Sequence, residues 1–115
     1  MKFELKHRTF ETVPRCVEAG LLVAVTTDHL VIPLGRPMVI AALAMREGLS
    51  REDAMKVMTI NPAKILGLGR RLGSIERGKD ADLVIWDGDP LDVRSKPTDV
   101  FIAGRRVDAE PPYIP

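Results

Sequence analysis

One aspartate in this 115-residue sequence stands where α/β proteins commonly place catalytic groups. Asp28 follows the apolar run of residues 21–26 (LLVAVT) and Thr27. The run is too short for a typical helix, so it predicts a strand buried on both faces of a parallel sheet. Loops at the carboxyl ends of such strands form the open mouth of a sheet or barrel. A carboxylate there can ligate a divalent metal or accept a proton from bound water, and an ordinary turn or capping role is the alternative.

The two histidines and the single cysteine are weaker candidates for chemistry. His29 has three interpretations, as a second metal ligand, a substrate contact or an exposed loop residue. Adjacent side chains generally point in different directions, so we do not expect Asp28 and His29 to share one metal. His7 precedes the first predicted helix and is expected to be exposed. Cys16 lies on the apolar face of that helix, where we expect a buried, inert thiol rather than a nucleophile.

The overall composition excludes several classes of protein. The sequence has 17 Lys+Arg and 16 Asp+Glu, a net charge of +1, which does not fit a strongly basic nucleic-acid binder. The arginine pairs at residues 70–71 and 105–106 lack interleaved aromatic residues and predict an ordinary solvated surface. No run of about 18 apolar residues is present, and the first residues lack the apolar stretch of a signal peptide. We therefore expect a cytoplasmic protein that binds neither nucleic acid nor membrane.

The elements around Asp28 are predicted to be helical. A first helix ends at Gly20, and either Thr9 or Thr12 is expected to cap its start. After Asp28 a second helix is expected to begin with Pro37 in its first turn, to run to about Glu47 and to stop at Gly48.

Two further helices are predicted in the middle of the chain. Ser50 opens a stretch that resembles a capping box, with Asp53 in place of the usual Glu. Asn61 is expected to cap the last helix, with Pro62 in its first turn and Gly67 at its end.

Beyond Gly67 the pattern changes to turns and strands. Residues 81–86 (ADLVIW) predict a strand, and residues 87–90 (DGDP) predict a turn. Residues 100–107 predict a β-hairpin around residues 103–104 (AG).

Four stretches occur in an order typical of one family. Residues 18–29 (EAGLLVAVTTDH) look like the eighth strand of a barrel with its terminal aspartate, and residues 48–54 (GLSREDA) and 59–67 (TINPAKILG) look like the helices that follow. Residues 73–84 (GSIERGKDADLV), with 87–90 and 104–105, are similar to the return into a small β-sandwich. Together they closely resemble the C-terminal end of the amidohydrolase superfamily, particularly its imidazolonepropionase-related metal-dependent hydrolases.

The resemblance implies an α/β fold, formed by the C-terminal βα unit of a (β/α)8 amidohydrolase barrel, further helices and a small β-sandwich-type subdomain. Residues 1–66 would be the last helix-strand-helix portion of the barrel, and residues 67–115 a partial β-sandwich. Asp28 is implied to bind the active-site metal and to shuttle a proton between the attacking water and the leaving amine. His29 is implied to face the substrate. The Asn-Pro-Ala and Gly-Lys-Asp-Ala-Asp motifs are structural in such enzymes.

The sequence also departs from the family pattern. Complete members take metal ligands from a His-x-His motif at the first strand, from a mid-barrel lysine or glutamate and from two later histidines. This sequence contains no His-x-His motif, and its segment before Glu18 is too short for the missing strands, since a whole barrel needs about 250 residues.

We therefore expect the C-terminal part of an enzyme that hydrolyses a non-peptide C–N bond in a small molecule with a divalent metal, for which zinc is expected. The isolated chain is expected to be inactive, because one aspartate cannot hold the metal. Two alternatives stay open. The chain is a subunit of a split amidohydrolase that another polypeptide completes, or a non-enzymatic module that self-associates. The expected partner is accordingly the missing N-terminal barrel portion or a second copy of the chain.

Overall fold

Helices form the first part of the described chain, and a small sheet forms the last. The computed structural model describes residues 11–27 and 36–107. The helices are α1 (Thr12–Glu18), α2 (Pro37–Arg46), α3 (Arg51–Lys56) and α4 (Ile60–Ile65). The strands are β1 (Leu83–Trp86), β2 (Pro97–Ile102) and β3 (Arg105–Arg106). This mixture agrees with the predicted α/β class, and no helix in these two ranges is long and apolar enough to cross a membrane.

Three of the helices end in the same way, on a glycine with a positive φ angle. After α2, the N–H groups of Gly48 and Leu49 both donate to carbonyls of the last helical turn at 3.1 Å. Gly48 has a φ of 107°, a conformation that residues with a side chain rarely adopt. The N–H groups of Gly20 and the residue after it donate in the same way after α1, and those of Gly67 and the residue after it do so after α4. The three predicted helix ends are therefore confirmed.

The predicted helix starts are confirmed only in part. Pro37 is the first residue of α2, and Ser50 caps α3 by accepting a hydrogen bond from the N–H of Asp53 at 3.1 Å. The prediction that Asn61 caps α4 is wrong. Thr59 holds the capping position and Asn61 is the second helical residue, because its side-chain amide donates to a distant carbonyl instead.

The start of α1 also differs from the prediction. Thr12 is already the first helical residue, and Glu11 precedes it as the cap. The other predicted cap, Thr9, lies outside the described residues. Pro14 stands in the first turn, where its missing N–H removes no bond of the helix.

The hydrophobic core forms where α2 and α3 meet. Ala41, Ala44, Ala54 and Val57 have no exposed surface. Small side chains at the contact allow two helix axes to approach closely. Long, adaptable side chains pack around this contact, namely Met38, Met45, Met55 and Met58. The two helices are therefore held by close packing of small residues inside a layer of methionines.

One residue from the second half of the chain completes this core. Leu91, which follows the DGDP turn, is 8% exposed and belongs to the same cluster as Ala44 and Val57. The turn thus anchors the sheet region to the helices. The proposed boundary between residues 66 and 67 stays a prediction.

The sheet is antiparallel and its order is β1-β2-β3. Leu83 lies opposite Phe101 in the β1–β2 pair. Ala103 and Gly104 form the turn between β2 and β3, with φ angles of 50° and 78°. Two successive positive φ angles suit the twist of a two-residue hairpin. The hairpin predicted around these two residues is therefore confirmed.

The strand predicted over residues 21–26 is absent from the sheet of the described residues. Residues 21–27, here called the docked segment, run without regular strand pairing in that part of the chain. Val23 and Val25 pack against the helical core, whereas Leu22 and Ala24 are exposed. The expected burial on both faces is wrong, because no strand among the described residues covers the second face.

Two glycines of the 67–80 loop allow a matched test of this packing. Gly73 has a φ of 95°, and a Cβ there would lie 2.8 Å from the Ile60 Cα and 2.9 Å from the Ala63 Cβ. Gly78 has a φ of 90°, with nothing within 4 Å of its Cβ position. Gly78→Ala should destabilise the protein by about 1 kcal/mol, through the φ angle alone.

Gly73→Ala should cost about 2 kcal/mol more than Gly78→Ala, because α4 must also shift away from the added methyl group. Urea unfolding measures the difference in the free energy of unfolding between the two variants. The comparison holds when both free energies depend equally on the urea concentration. Equal loss of stability in both would contradict the close approach of the loop to α4.

Candidate functional site

The docked segment leads to the position that the sequence marks for chemistry. Its odd-numbered side chains face the core from Val23 onward, and Thr27 is 5% exposed. Its even-numbered side chains, at residues 22, 24 and 26, are exposed. Side chains of an extended chain alternate between two faces. The segment therefore has one face against the helices and one open face.

Two hydrogen bonds hold the docked segment against the helices. The N–H of Val25 donates to the carbonyl of Val57 at 3.1 Å, at the end of α3. The side-chain amide of Asn61 donates to the carbonyl of Val23 at 3.0 Å, across 38 residues of sequence. These bonds replace, on one edge, the ladder that a neighbouring strand would supply. No local feature of the sequence indicates this role for Asn61, which was predicted to cap α4.

The residues predicted to carry the chemistry are not among those described. Asp28, His29 and His7 all lie outside residues 11–27 and 36–107. Their roles therefore stay predictions, and the structure describes only the segment that precedes Asp28. Cys16 is partly buried on α1, with its thiol free, and the expectation of an inert thiol stays a prediction.

A metal site also cannot be built from the described residues alone. No group of three or more His, Cys, Asp or Glu side chains among them is placed to hold a metal ion. Both histidines of the sequence lie outside this part of the chain. A metal bound near Asp28 would need most of its ligands from elsewhere.

The Gly-Lys-Asp-Ala-Asp motif makes structural contacts in the 71–82 region. Asp82 accepts a hydrogen bond from the N–H of Ala103 at 2.8 Å, which holds the hairpin turn. Asp80 forms an ion pair with Arg71 at 2.8 Å. Lys79 donates to the Ser74 hydroxyl at 2.6 Å. The motif therefore stabilises the loop and the sheet.

A second carboxylate in this loop is stabilised in its charged form. Glu76 accepts hydrogen bonds from the Ser74 hydroxyl at 2.5 Å and from Lys79 at 2.9 Å. The Ser74 hydrogen bond, followed by that of Lys79, lowers the pKa of Glu76 from its ordinary value. The cluster crosslinks the loop in the same way as the Asp80 ion pair.

The DGDP turn is held to α3 by a carboxylate. Asp89 accepts hydrogen bonds from the N–H of Leu91 at 3.0 Å and from Arg51 at 2.8 Å. The Leu91 bond, followed by the Arg51 bond, lowers the pKa of Asp89. Nearby, the Arg94 side chain and then its N–H lower the pKa of Asp92 to about 2. The Arg51 contact and the buried Leu91 side chain fix the turn from two sides.

Comparison with known proteins places this architecture in a family. Residues 4–107 match the family model described as the amidohydrolase family. The structure of an amidohydrolase from Thermotoga maritima MSB8 superposes with a TM-score of 0.89 at 52% sequence identity, over 93% of this chain and 28% of that chain.

Two curated relatives carry names that state an activity. The imidazolonepropionase of Thermoplasma acidophilum is 40% identical over 81 residues, which are 69% of this chain and 20% of the relative. The N-substituted formamide deformylase of Arthrobacter pascens is 33% identical over 101 residues, which are 76% of this chain and 18% of the relative. The chain thus spans no more than 20% of the length of either relative.

The fold and these similarities define an α/β protein that resembles part of a family of hydrolases. The chain belongs to the amidohydrolase family. The resemblance to imidazolonepropionase-related members is thereby confirmed. Members of this superfamily are generally metal-dependent.

The Arg51–Asp89 contact predicts an acid dependence of stability. The folded-state pKa of Asp89 is lowered, so its contribution is fully present above the unfolded pKa of about 4 and is lost as the pH falls through the folded value. Asp89→Asn should therefore lower the Tm at pH 6 to 7, and this difference from the unaltered protein should shrink below about pH 4.

Thermal unfolding followed by circular dichroism between pH 2 and 7 measures this difference. Glu18→Gln, on the exposed end of α1, is the control and should leave the Tm difference small at every pH. A constant Tm difference for Asp89→Asn across this range would contradict the contribution of the charged carboxylate.

Proposed function

We propose that this chain is the C-terminal part of a metal-dependent amidohydrolase that hydrolyses a C–N bond other than a peptide bond. The observation that carries the proposal is the docked segment, which is fixed to the helices and ends directly before Asp28. The family match over residues 4–107 supports the same reading. The names of the formamide deformylase and imidazolonepropionase relatives favour small, non-peptide substrates.

The alternation along the docked segment supports a role for Asp28. Residues 22, 24 and 26 are on its open face, and Val23, Val25 and Thr27 are turned toward the core. The open face is the one that the remainder of a barrel would enclose, and Asp28 follows directly after this segment in the sequence.

Asp28 is the residue of this chain that would hold the metal. A divalent metal, zinc by our expectation, supplies an activated water when it is bound. In the proposed reaction the Asp28 carboxylate accepts a proton from the attacking water. It then donates this proton to the nitrogen of the breaking C–N bond, so that the amine leaves in neutral form. His29 is proposed to contact the substrate.

The remaining metal ligands are proposed to come from the preceding part of the same enzyme. The described residues hold no ligand set of their own, and relatives are about five times as long as the matched region. A separate polypeptide that supplies these ligands, as in a split amidohydrolase, is the alternative. In both cases the 115-residue chain contributes Asp28 and the helices that support it.

Exposed apolar residues favour a second candidate, a self-associating module without enzymatic activity. Leu21 and Leu22 are 60% and 50% exposed, and Ile75 is 86% exposed. Large exposed side chains beside one another on the docked segment are typical of an interface. A second copy of the chain would then cover the face that we assign to the rest of the barrel.

A test of activity separates an incomplete site from a complete one. The purified chain with zinc should not hydrolyse N-formyl or cyclic amide substrates. Co-expression with the remaining part of the Thermotoga maritima amidohydrolase should restore hydrolysis, because that part supplies the missing ligands. Asp28→Asn should then reduce kcat by at least about 100-fold, and Glu18→Gln should leave it unchanged.

Two outcomes would contradict this proposal. Zinc-dependent hydrolysis by the chain alone, abolished by Asp28→Asn, would show that the site needs no further part. Full activity of the Asp28→Asn assembly would show that this carboxylate has no catalytic role.

A further prediction concerns the open face of the docked segment. The isolated chain should self-associate with increasing concentration, and Leu22→Lys should shift it toward the monomer, because a charge opposes burial of that face. Light scattering after size-exclusion chromatography gives the mass. Glu47→Gln, an exposed change after α2 that also raises the net charge by one, is the charge-matched control. A monomer at all concentrations would contradict the self-associating module.

A further inference from the structure

The two edges of the three-stranded sheet differ in composition. β3 forms one edge, and its two residues, Arg105 and Arg106, are both exposed. Short strands and charged side chains at an edge oppose pairing with a further strand. β1 forms the other edge, since no other strand of the described residues pairs with its outer side. Its sequence (LVIW) contains no charge and no proline. Charge therefore protects one edge of the sheet and not the other.

The pairing of the strands shows which backbone groups of β1 point outward. The N–H of Val107 donates to the carbonyl of Val100 at 2.8 Å, so the backbone groups of Val100 point toward β3. Both backbone groups of a residue in an antiparallel strand lie on one side, and the side changes with each residue. Phe101 therefore points its groups toward its β1 partner, Leu83. By the same alternation, the N–H and the carbonyl of Val84 point away from β2, toward the free edge.

Apolar side chains accompany these outward-pointing groups. Val84 is 48% exposed and Ile85 is 49% exposed. They lie on opposite faces of the sheet, since side chains alternate along a strand. A bulge between Ile85 and Trp86 ends the regular pairing with β2. The open stretch, residues 83–85, thus offers backbone hydrogen bonds at its centre and apolar contact on both faces.

This stretch is complementary to itself about Val84. When two copies pair in antiparallel direction with Val84 opposite Val84, these two residues exchange both of their N–H···O bonds. Leu83 of each copy then lies opposite Ile85 of the other. Each cross-strand pair within residues 83–85 is therefore apolar, and such pairs stabilise a sheet.

The surrounding charges favour the same register. With Val84 opposite Val84, Asp82 of one copy lies opposite Trp86 of the other, and Asp87 faces no carboxylate. The register in which Val84 meets Ile85 would place Asp82 opposite Asp87. Like charges directly opposite each other destabilise a strand pair. That register would also oppose outward backbone groups with groups that point toward β2.

We propose that β1 is a dimerisation edge, to which a second copy of this chain adds its own β1 in antiparallel direction about a twofold axis at Val84. The two three-stranded sheets then form one continuous sheet. Contacts of one surface with its own copy about a twofold axis are the commonest in homo-oligomers. This contact is distinct from the open face of the docked segment and involves neither Asp28 nor a metal. It does not rest on the proposed hydrolase function.

Substitutions to lysine separate the edge of the sheet from its face. Val84→Lys sets two like charges opposite one another at the twofold axis and should prevent pairing. Ile102→Lys is the matched control, because Ile102 is 57% exposed and lies on β2. Val84 is opposite Val100, two residues before Ile102, so both substitutions change the same face. Both are made in a Leu22→Lys chain, in which association through the docked segment is opposed.

Light scattering after size-exclusion chromatography, at increasing protein concentration, gives the mass. The Leu22→Lys chain and its Ile102→Lys variant should form a reversible dimer, and the Val84→Lys variant should stay monomeric. A monomeric Leu22→Lys chain at every concentration would overturn the proposal. Equal loss of the dimer in both sheet variants would also overturn it, because the face of the sheet would then be the contact.

Amide hydrogen exchange by NMR tests the register without any substitution in the sheet. In the Leu22→Lys chain, the Val84 N–H should exchange at least about threefold more slowly where the dimer predominates than in the monomer, because it gains an acceptor only in the dimer. The Leu83 N–H, directed at β2, should keep its rate. Unchanged exchange at Val84 while a dimer forms would overturn the proposal, since the second copy would then be bound elsewhere.

Discussion

The close approach of α2 and α3 is the contact on which the rest of the described structure depends. Ala41, Ala44 and Ala54 are fully buried between these helices, and any larger side chain there would push the helices apart. The position of α3 in turn sets the position of Val57, whose carbonyl receives the N–H of Val25. Small residues deep in the helical core thereby determine where the docked segment lies.

In the second half of the chain, carboxylates hold the turns in place. Asp82, Asp87 and Asp89 each accept a hydrogen bond from a backbone N–H, at 2.8, 2.8 and 3.0 Å. Backbone donors in turns have no ladder partner, and an aspartate side chain satisfies them locally. The high acidic content of this region therefore serves the loops that carry Leu91 into the core, and the Asp89 ion pair adds a link to α3.

Elements that depend on a few neighbouring residues were predicted better from the sequence than contacts between distant residues. Gly48 ended its helix and Ala103 with Gly104 turned the hairpin as expected, since both depend on backbone angles of a few residues. Asn61 was assigned to a cap because its real partner lies 38 residues away. The docked segment was predicted to be buried on both faces because apolar content does not reveal which neighbours are present. Asp28 was predicted from its position after an apolar run and from a family resemblance, and it lies outside the described residues, so its role stays a prediction.

The open face of the docked segment has a consequence for the behaviour of the chain in solution. Residues 21–27 (LLVAVTT) form a seven-residue stretch of high β-propensity with no charge and no proline, the composition of segments that stack into fibrils. Asn61 and Val57 occupy one edge of it and so block growth of a sheet from that side. The hydrogen bonds that hold the segment against the helices thus also oppose edge-to-edge association of the folded chain through this segment.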